Sequence, residues 1–502
     1  MIYVYIKKDL EKFETDIREL CLTFFTLQKI TYVYKGKEND IKIEDKDIIV
    51  KDYFSGDIEG SKTKVKSELK RQLYNYLSEL TGKKLLWGTL TGIRPTTIIT
   101  KMIEEKSENN ILNDELYDNI KKDFKRNYYT SDLKTDELIE IAKNEIEILH
   151  RPNILNYKEG YSIYIGVPFC KSTCLYCSFT SFNIDKFKNY VDKYLHALEN
   201  EFEKRVNDIS SKYKSNVRNK LNPLTIYIGG GTPTSLDYSS FKKLLDIVDK
   251  YIDRSNCIEY TVEAGRPDTI DEEKLSIMKQ KGVNRISINP QSFNQKTLDL
   301  IGRKHRVEDI IEKFNLARKV GFDNINMDII LGLPNEHLFE LFKTLNGIRK
   351  LKPDSFTVHS LALKRAARLN YELESWTKNY YLAGLGKKYI VNGEVYFKNR
   401  AEGKREIDSM LYFSDLLARH LKLKPYYMYR QKNMAGNLEN IGYALDGKEC
   451  VYNIMMMSER HSVYGFGTAT TKEVFYEKDG SKRIESSEGY KSVIDYCKNI
   501  LG

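Results

Sequence analysis

The chain has 502 residues, 41% apolar and 30% charged, with a net charge of +10. Such a length predicts two or three domains, and this balance marks ordinary globular material, excluding a disordered chain. No stretch reaches the ~18 apolar residues of a membrane span, and MIYVYIKKDLEKF at the start lacks the apolar region and cleavage site of a signal peptide, so a cytoplasmic protein is expected. The basic residues are mixed with Asp and Glu. That surface suits nucleic acid, an anionic membrane or an acidic small substrate, and equally a plain solvated face. Seven cysteines, three of them within eight residues, do not form a disulfide framework.

In chain order, IYVYIK and ITYVYK read as strands and residues 60–80 as a helix. Residues 96–150 are charged and mostly helical, so an N-terminal α+β and helical domain is expected over 1–150. Between 151 and 362 six β-branched or aromatic runs read as strands, at 162–167, 224–228, 258–263, 284–288, 324–330 and 355–359. Helical periodicity fills the gaps, at 187–206, 238–252, 271–281, 307–320 and 338–351. This alternation implies parallel strands joined by crossover helices, a partial or closed α/β barrel. Residues 363–502 form a last α+β region, with helices at 405–421 and 488–500 and strands at 426–430 and 451–457.

The segment GVPFCKSTCLYCSF places Cys170, Cys174 and Cys177 in a C-x3-C-x2-C spacing. Thiolates ligate iron–sulfur clusters, normally four per 4Fe–4S cubane, so three leave one iron open for a cofactor or substrate. A structural zinc site needs four ligands, and no fourth Cys or His follows within the loop.

The other signals fall at strand ends, where barrels of this kind carry their chemistry. IGGGTPTSL follows the second strand; Gly229, Gly230 and Gly231 let backbone approach a ligand, or simply make a tight turn. TVEAGRPD ends the third strand with Glu263. RISINPQSFN follows the fourth with Gln291, and Arg303 in LIGRKHR offers a guanidinium fork to a carboxylate. NINMDIILGLP puts Asp328 inside an apolar strand, costly unless it is paired or faces a cavity. His359 ends the sixth strand and reads as readily as a structural histidine. Cys21, Cys257, Cys450 and Cys497 read as buried thiols.

The cysteine spacing after YIGVPF resembles that of the radical S-adenosylmethionine superfamily. Together with IYIGGGTPTSL, TVEAGRPDTI, RISINPQSFN and DIILGLP it is similar to the oxygen-independent coproporphyrinogen III oxidase family. LTGIRPTTI (90–98), PYYMYRQKNMAGNLENIGYA (425–444) and GFGTATTKE (465–473) resemble its HemZ-type branch. The resemblance implies a partial (β/α)6 radical SAM barrel between an N-terminal α+β domain and a C-terminal α+β extension. It implies a 4Fe–4S cluster on Cys170, Cys174 and Cys177 whose open iron binds S-adenosylmethionine, and reductive cleavage to a 5′-deoxyadenosyl radical. It also implies S-adenosylmethionine contacts from Tyr164, Tyr176, Gly230, Gly231, Thr232, Glu263, Gln291, Arg303, Asp328 and Ala362. The reaction it implies is oxidative decarboxylation of two propionates of an acidic tetrapyrrole, coproporphyrinogen III. An electron donor such as flavodoxin or ferredoxin would serve it. Two positions depart from the family pattern: Gly166 stands where the oxidases have histidine, and Phe179 where they have a fourth cysteine. Haem chaperones share the barrel, so a haem-binding delivery protein is the alternative. A radical enzyme acting on another tetrapyrrole or on RNA is another; the mixed charge of residues 1–80 argues against RNA.

Overall fold

The computed structural model describes residues 2–6, 8–25, 30–34, 48–51, 53–54, 61–92, 94–106, 113–154, 156–179, 181–213, 219–364, 366–372, 375, 381–383, 387–391, 394–398, 406–431, 434, 438–477 and 481–502. Lys7, Lys35, Gly60 and Arg405, at the ends of expected elements, lie outside them. So do residues 107–112 and, in the flanking motifs, Ile93, Lys432, Asn433 and residues 435–437. The chain gathers into two compact units. One is residues 1–143 with 384–405 and 429–438; the other is residues 144–383 with 406–428 and 439–502.

The first unit is built on three parallel strands, β1 (Ile2–Ile6), β2 (Ile30–Tyr34) and β3 (Ile48–Val50), with β1 in the middle. The helix Glu14–Phe24 makes the crossover from β1 to β2. It buries Ile17, Leu20, Cys21 and Phe24, a single helical face. The helix Lys62–Thr81 repeats the pattern with Leu69, Leu73 and Leu77. Ser61 caps it at the start, and Gly82 ends it in the left-handed region at φ 66°. Helices Thr96–Lys106, Asp114–Tyr128 and Asp132–Leu149 account for the charged helical stretch.

Among the described residues the second unit holds a sheet of eleven strands. Six of them are the expected barrel strands: β4 (Tyr161–Val167), β7 (Thr225–Gly230), β8 (Glu259–Glu263), β9 (Arg285–Ser287), β10 (Ile325–Leu331) and β11 (Ser355–Ser360). They lie side by side and all parallel. The short pair β5 (Phe169–Cys170) and β6 (Phe182–Asn183) forms within the loop after β4. Helices Val191–Lys212, Tyr238–Tyr251, Glu272–Gln280, Val307–Val320 and Leu338–Leu351 make the crossovers. The strands read as near-continuous apolar runs because helices cover one face and the packed interior the other. A hairpin of β12 (Lys387–Val391) and β13 (Glu394–Lys398) belongs to the first unit.

Later strands extend this same sheet. β14 (Lys424–Tyr429) and β15 (Asn440–Ala444) lie beyond β11. β16 (Ser462–Gly467) lies parallel beside β4, followed by β17 (Thr471–Tyr476) and β18 (Lys482–Ser487). Among the described residues the two outermost strands, β14 and β18, are not paired with each other, so the barrel is partial.

One expected strand is a helix. Residues 451–457 begin Val-Tyr and are apolar but for Asn453, a run whose period does not distinguish the two structures. They form the helix Val451–Ser458 because a distant carboxylate satisfies its N-terminus. Glu259 Oε2, on β8, accepts from the Val451 amide at 2.5 Å and the Tyr452 amide at 3.4 Å. The Tyr452 ring stacks on Tyr227 of β7, with centroids 4.6 Å apart, and on Tyr164 of β4 at 5.9 Å. This helix therefore closes the end of the barrel at which the strands begin.

Candidate active site

The site lies at the opposite end, where the strands finish, and wholly within the second unit. Pro168 turns the chain out of β4 and Cys170 ends β5. The cysteine loop is then tied down from three sides. Leu175 donates its amide to Ile301 at 3.0 Å and accepts from the Leu369 amide at 3.0 Å. The Ser172 hydroxyl donates to the Gly302 carbonyl at 2.9 Å. Arg266, buried in the GRPD turn after β8, donates to the Ser172 hydroxyl at 2.7 Å and its carbonyl at 3.1 Å, and pairs with Asp268 at 3.1 Å. Sequence reasoning quoted that turn and passed over Arg266, which is what braces the loop.

All seven cysteines are free thiols; Cys170 and Cys174 are buried and Cys177 is half-buried. Cys170 Sγ lies 3.4 Å from Thr232 Oγ1. Burial pushes the Cys170 thiol up to about 11, opposed by the Thr232 hydroxyl. Burial raises Cys177 as well, offset by the Phe179 amide, the Lys364 charge and the Ser181 hydroxyl.

Among the described residues no three His, Cys, Asp or Glu side chains converge closely enough to hold a single metal ion. A cubane distributes its thiolates over separate irons, so it needs no such convergence. Unpaired thiols on a braced loop, with N–H and O–H donors and cations around them, fit a cluster.

The glycine run is demanded by packing. A Cβ on Gly231 would lie 2.5 Å from the Phe169 carbonyl oxygen. Gly230 sits at φ 106° with β4 backbone 3.1 Å from where its Cβ would be. The Gly231 and Thr232 amides donate to Val167 and Phe169, each at 2.7 Å, locking β7 to the cysteine loop. Behind the run, the Tyr227 hydroxyl donates to Glu263 Oε1 at 2.7 Å. Burial pushes the Glu263 carboxyl up to about 7, with the Asp328 charge adding to it.

Asp328 accepts from Asn326 at 2.7 Å, and its Oδ2 stands 3.7 Å from His359 Nε2. Burial alone would raise it. Bonds from His359, Asn326 and Thr357, with the His359 charge, hold it below the usual carboxylate range. Gln291 has φ 63°, unusual for a side chain other than glycine. Its amide donates to the Asp328 carbonyl at 2.9 Å, so the turn after β9 is bent against β10.

Arg303 is buried and already engaged. Nη2 donates to the carbonyls of Gly265 at 2.6 Å and Asn289 at 2.7 Å, and Nη1 to the Tyr176 hydroxyl at 3.2 Å, while Nε has no hydrogen-bond partner. Tyr164 lies deeper, stacked on Tyr227 at 5.8 Å. Ala362 is on the half-exposed loop after β11, its carbonyl accepting from the Lys364 amide at 3.1 Å. The structure thus brings Glu263, Asp328 and Gln291 together, joins Tyr176 to Arg303 and Thr232 to Cys170, and leaves Tyr164 and Ala362 apart from these contacts.

The glycine at position 166 has a packing cause. A Cβ there would meet Thr468 at 3.2 Å and Ala469 at 3.3 Å, because the turn after β16 lies over the end of β4. The Thr468 amide and hydroxyl and the Tyr194 hydroxyl all donate to the Gly166 carbonyl. The space a histidine would take is occupied by GFGTATTKE. His305, which sequence reasoning also missed, is buried with neither ring nitrogen hydrogen-bonded. Burial and the Arg303 charge push it down to about 3.

A parallel partial barrel with a three-cysteine loop after its first strand and a glycine turn after its second is that of a radical SAM protein. The superfamily's sequence pattern matches residues 164–346, and its members use a 4Fe–4S cluster and S-adenosylmethionine. The chain is 37% identical to the oxygen-independent coproporphyrinogen-III oxidase-like protein HemZ of Bacillus subtilis, over 83% of this chain and 75% of that one. It is 39% identical to the heme chaperone HemW of the same organism, over 40% of this chain and 51% of that one. The solved coproporphyrinogen III oxidase HemN of Escherichia coli aligns over 70% of this chain and 77% of its own, at 18% identity and a TM-score of 0.46. The chain belongs to the family of oxygen-independent coproporphyrinogen III oxidase-like proteins. Among the described residues no helix is long and apolar enough to cross a membrane.

Proposed function

We propose that this chain is an oxygen-independent coproporphyrinogen III oxidase, which removes carbon dioxide from two propionates of its substrate and leaves vinyls. The observation that carries this reading is the extent of the likeness to the HemZ protein, which runs far beyond the barrel. When bound, the cluster and S-adenosylmethionine supply a 5′-deoxyadenosyl radical able to abstract hydrogen from a propionate. Cys170, Cys174 and Cys177 hold the cluster. The Gly230–Gly231 turn brings bare backbone to the amino end of the cofactor. Glu263 and Asp328 offer acceptors to its ammonium and hydroxyl groups, and Arg303 meets its carboxylate through the donors it has not spent on Gly265 and Asn289. The bonds from Arg266, Ser172, Leu175 and Leu369 hold the cysteine loop in place. The net charge of +10 suits a substrate with several carboxylates, and flavodoxin or ferredoxin would deliver the electron.

A second reading, a haem-delivery protein, is supported by 39% identity to HemW within 204 residues. Anaerobic incubation of the reconstituted protein with reductant, S-adenosylmethionine and coproporphyrinogen III separates the two. The oxidase yields protoporphyrinogen IX with 5′-deoxyadenosine, and Cys174→Ala abolishes both. Tight haem binding with no tetrapyrrole turnover would refute the oxidase in favour of the chaperone.

A further inference from the structure

Lys364 lies in the loop that leaves β11, and its ammonium pairs with no carboxylate among the described residues. Its Nζ stands 5.0 Å above the ring of Phe179, which is 64% exposed and two residues past Cys177. The loop is fastened to the cysteine segment, since the Leu369 amide donates to the Leu175 carbonyl at 3.0 Å. The ammonium is thus held in place and half-buried. A cation so placed is costly unless negative charge comes beside it, and a cation–π contact with an exposed ring is too weak to offset that cost. Of the other nearby cations, Arg266 pairs with Asp268, and Arg303 is turned to Tyr176 and two carbonyls. Phe179 sets Lys364 against the end of the cysteine segment, and its charge acts on the Cys177 thiol, which also receives the Phe179 amide and the Ser181 hydroxyl.

A cluster on three thiolates brings net negative charge to that place, and one-electron reduction adds to it. Charge and hydrogen bonds at ligand sulfurs set the potential of iron–sulfur clusters. We propose that Lys364 poises the cluster: its charge beside Cys177 favours the one-electron-reduced form and raises the reduction potential, easing transfer from an external one-electron donor. Lys364 is a positioning and tuning residue that acts through Cys177. The proposal rests on the family's cluster and is independent of which tetrapyrrole is used.

The test is a redox titration of the full-length, anaerobically reconstituted protein, followed by electron paramagnetic resonance with no tetrapyrrole present. Wild type is compared with Lys364→Met, Lys364→Gln and Lys364→Arg at equal iron and sulfide content. The neutral variants are expected to lower the reduced-to-oxidised ratio about tenfold at fixed poise, equivalent to ~59 mV for one electron. The arginine variant stays near wild type. Unmoved midpoints in both neutral variants overturn the proposal, as does an equal shift in all three, which would report shape rather than charge. Loss of the cluster from both neutral variants with retention in the arginine variant also overturns it, since the charge would then hold the cluster rather than poise it. A raised KM for an anionic substrate with an unmoved midpoint would make Lys364 a docking residue instead.

Discussion

Removing the Glu259 side chain tests whether the end of the barrel is closed as described. Oε2 receives the first two amides of the helix Val451–Ser458, and Oε1 receives the Thr261 hydroxyl at 2.9 Å and the Cys450 thiol at 3.2 Å. The carboxylate is also one of the charges acting on Arg285, which is fully buried with Nε unpartnered and Nη2 on Ser355 at 3.3 Å. Glu259→Ala therefore uncaps a helix, a loss of about 1 kcal/mol. It also leaves the buried Thr261 hydroxyl and Cys450 thiol without their acceptor and removes a charge that acts on Arg285, typically costing about 1–3 kcal/mol. The two effects share one group and do not add, so roughly 1–3 kcal/mol is expected in all. At about 2 °C per kcal/mol, the low end of the range because the unit is large, Tm should fall by roughly 2–6 °C in calorimetry on the cluster-free protein. Glu259→Gln, which can still accept from the amides, should lose less. A Glu259→Ala variant melting within about 1 °C of wild type would sink the reasoning, because the helix would then be held by something else.

Glu263 gives a pH prediction. Its carboxyl is raised from 4.5 to about 7 in the folded chain, so the folded state binds this proton more tightly than the unfolded one. The stabilisation is fully present below pH 4.5 and is lost as pH rises through about 7, a difference of roughly 3 kcal/mol. The urea stability of wild type minus that of Glu263→Gln should fall across this window; a flat difference would mean that the carboxyl titrates normally. Gly166→His tests the turn after β16. With Thr468 and Ala469 at 3.2 and 3.3 Å from the new Cβ, the turn must move, and a loss of about 1–3 kcal/mol in urea unfolding is expected. An unchanged midpoint would mean that the site already has room for the family's histidine.

The sequence by itself determined the parts whose cause is local. The six barrel strands are buried on both faces, so each is a β-branched or aromatic run whose neighbours in the sheet do not alter its reading. Helices 307–320 and 338–351 matched residue for residue because their apolar faces and end residues are local as well. The cysteine spacing is legible for the same reason, lying within one loop. What only the tertiary structure decided depends on residues far apart in the chain. The helix Val451–Ser458 takes its cap from a carboxylate 192 residues away. β15 and β16 escaped notice because glycines interrupt them, and glycines weaken a strand's signal. Gly442 is needed because a Cβ would lie 1.8 Å from the Tyr427 ring, and Gly465 because one would lie 2.5 Å from the Thr470 carbonyl. Lys364 reads as an ordinary surface charge until the loop after β11 sets it over Phe179 beside Cys177. A side chain's meaning is local when its partners are neighbours in sequence, and becomes legible only after folding when they come from other strands.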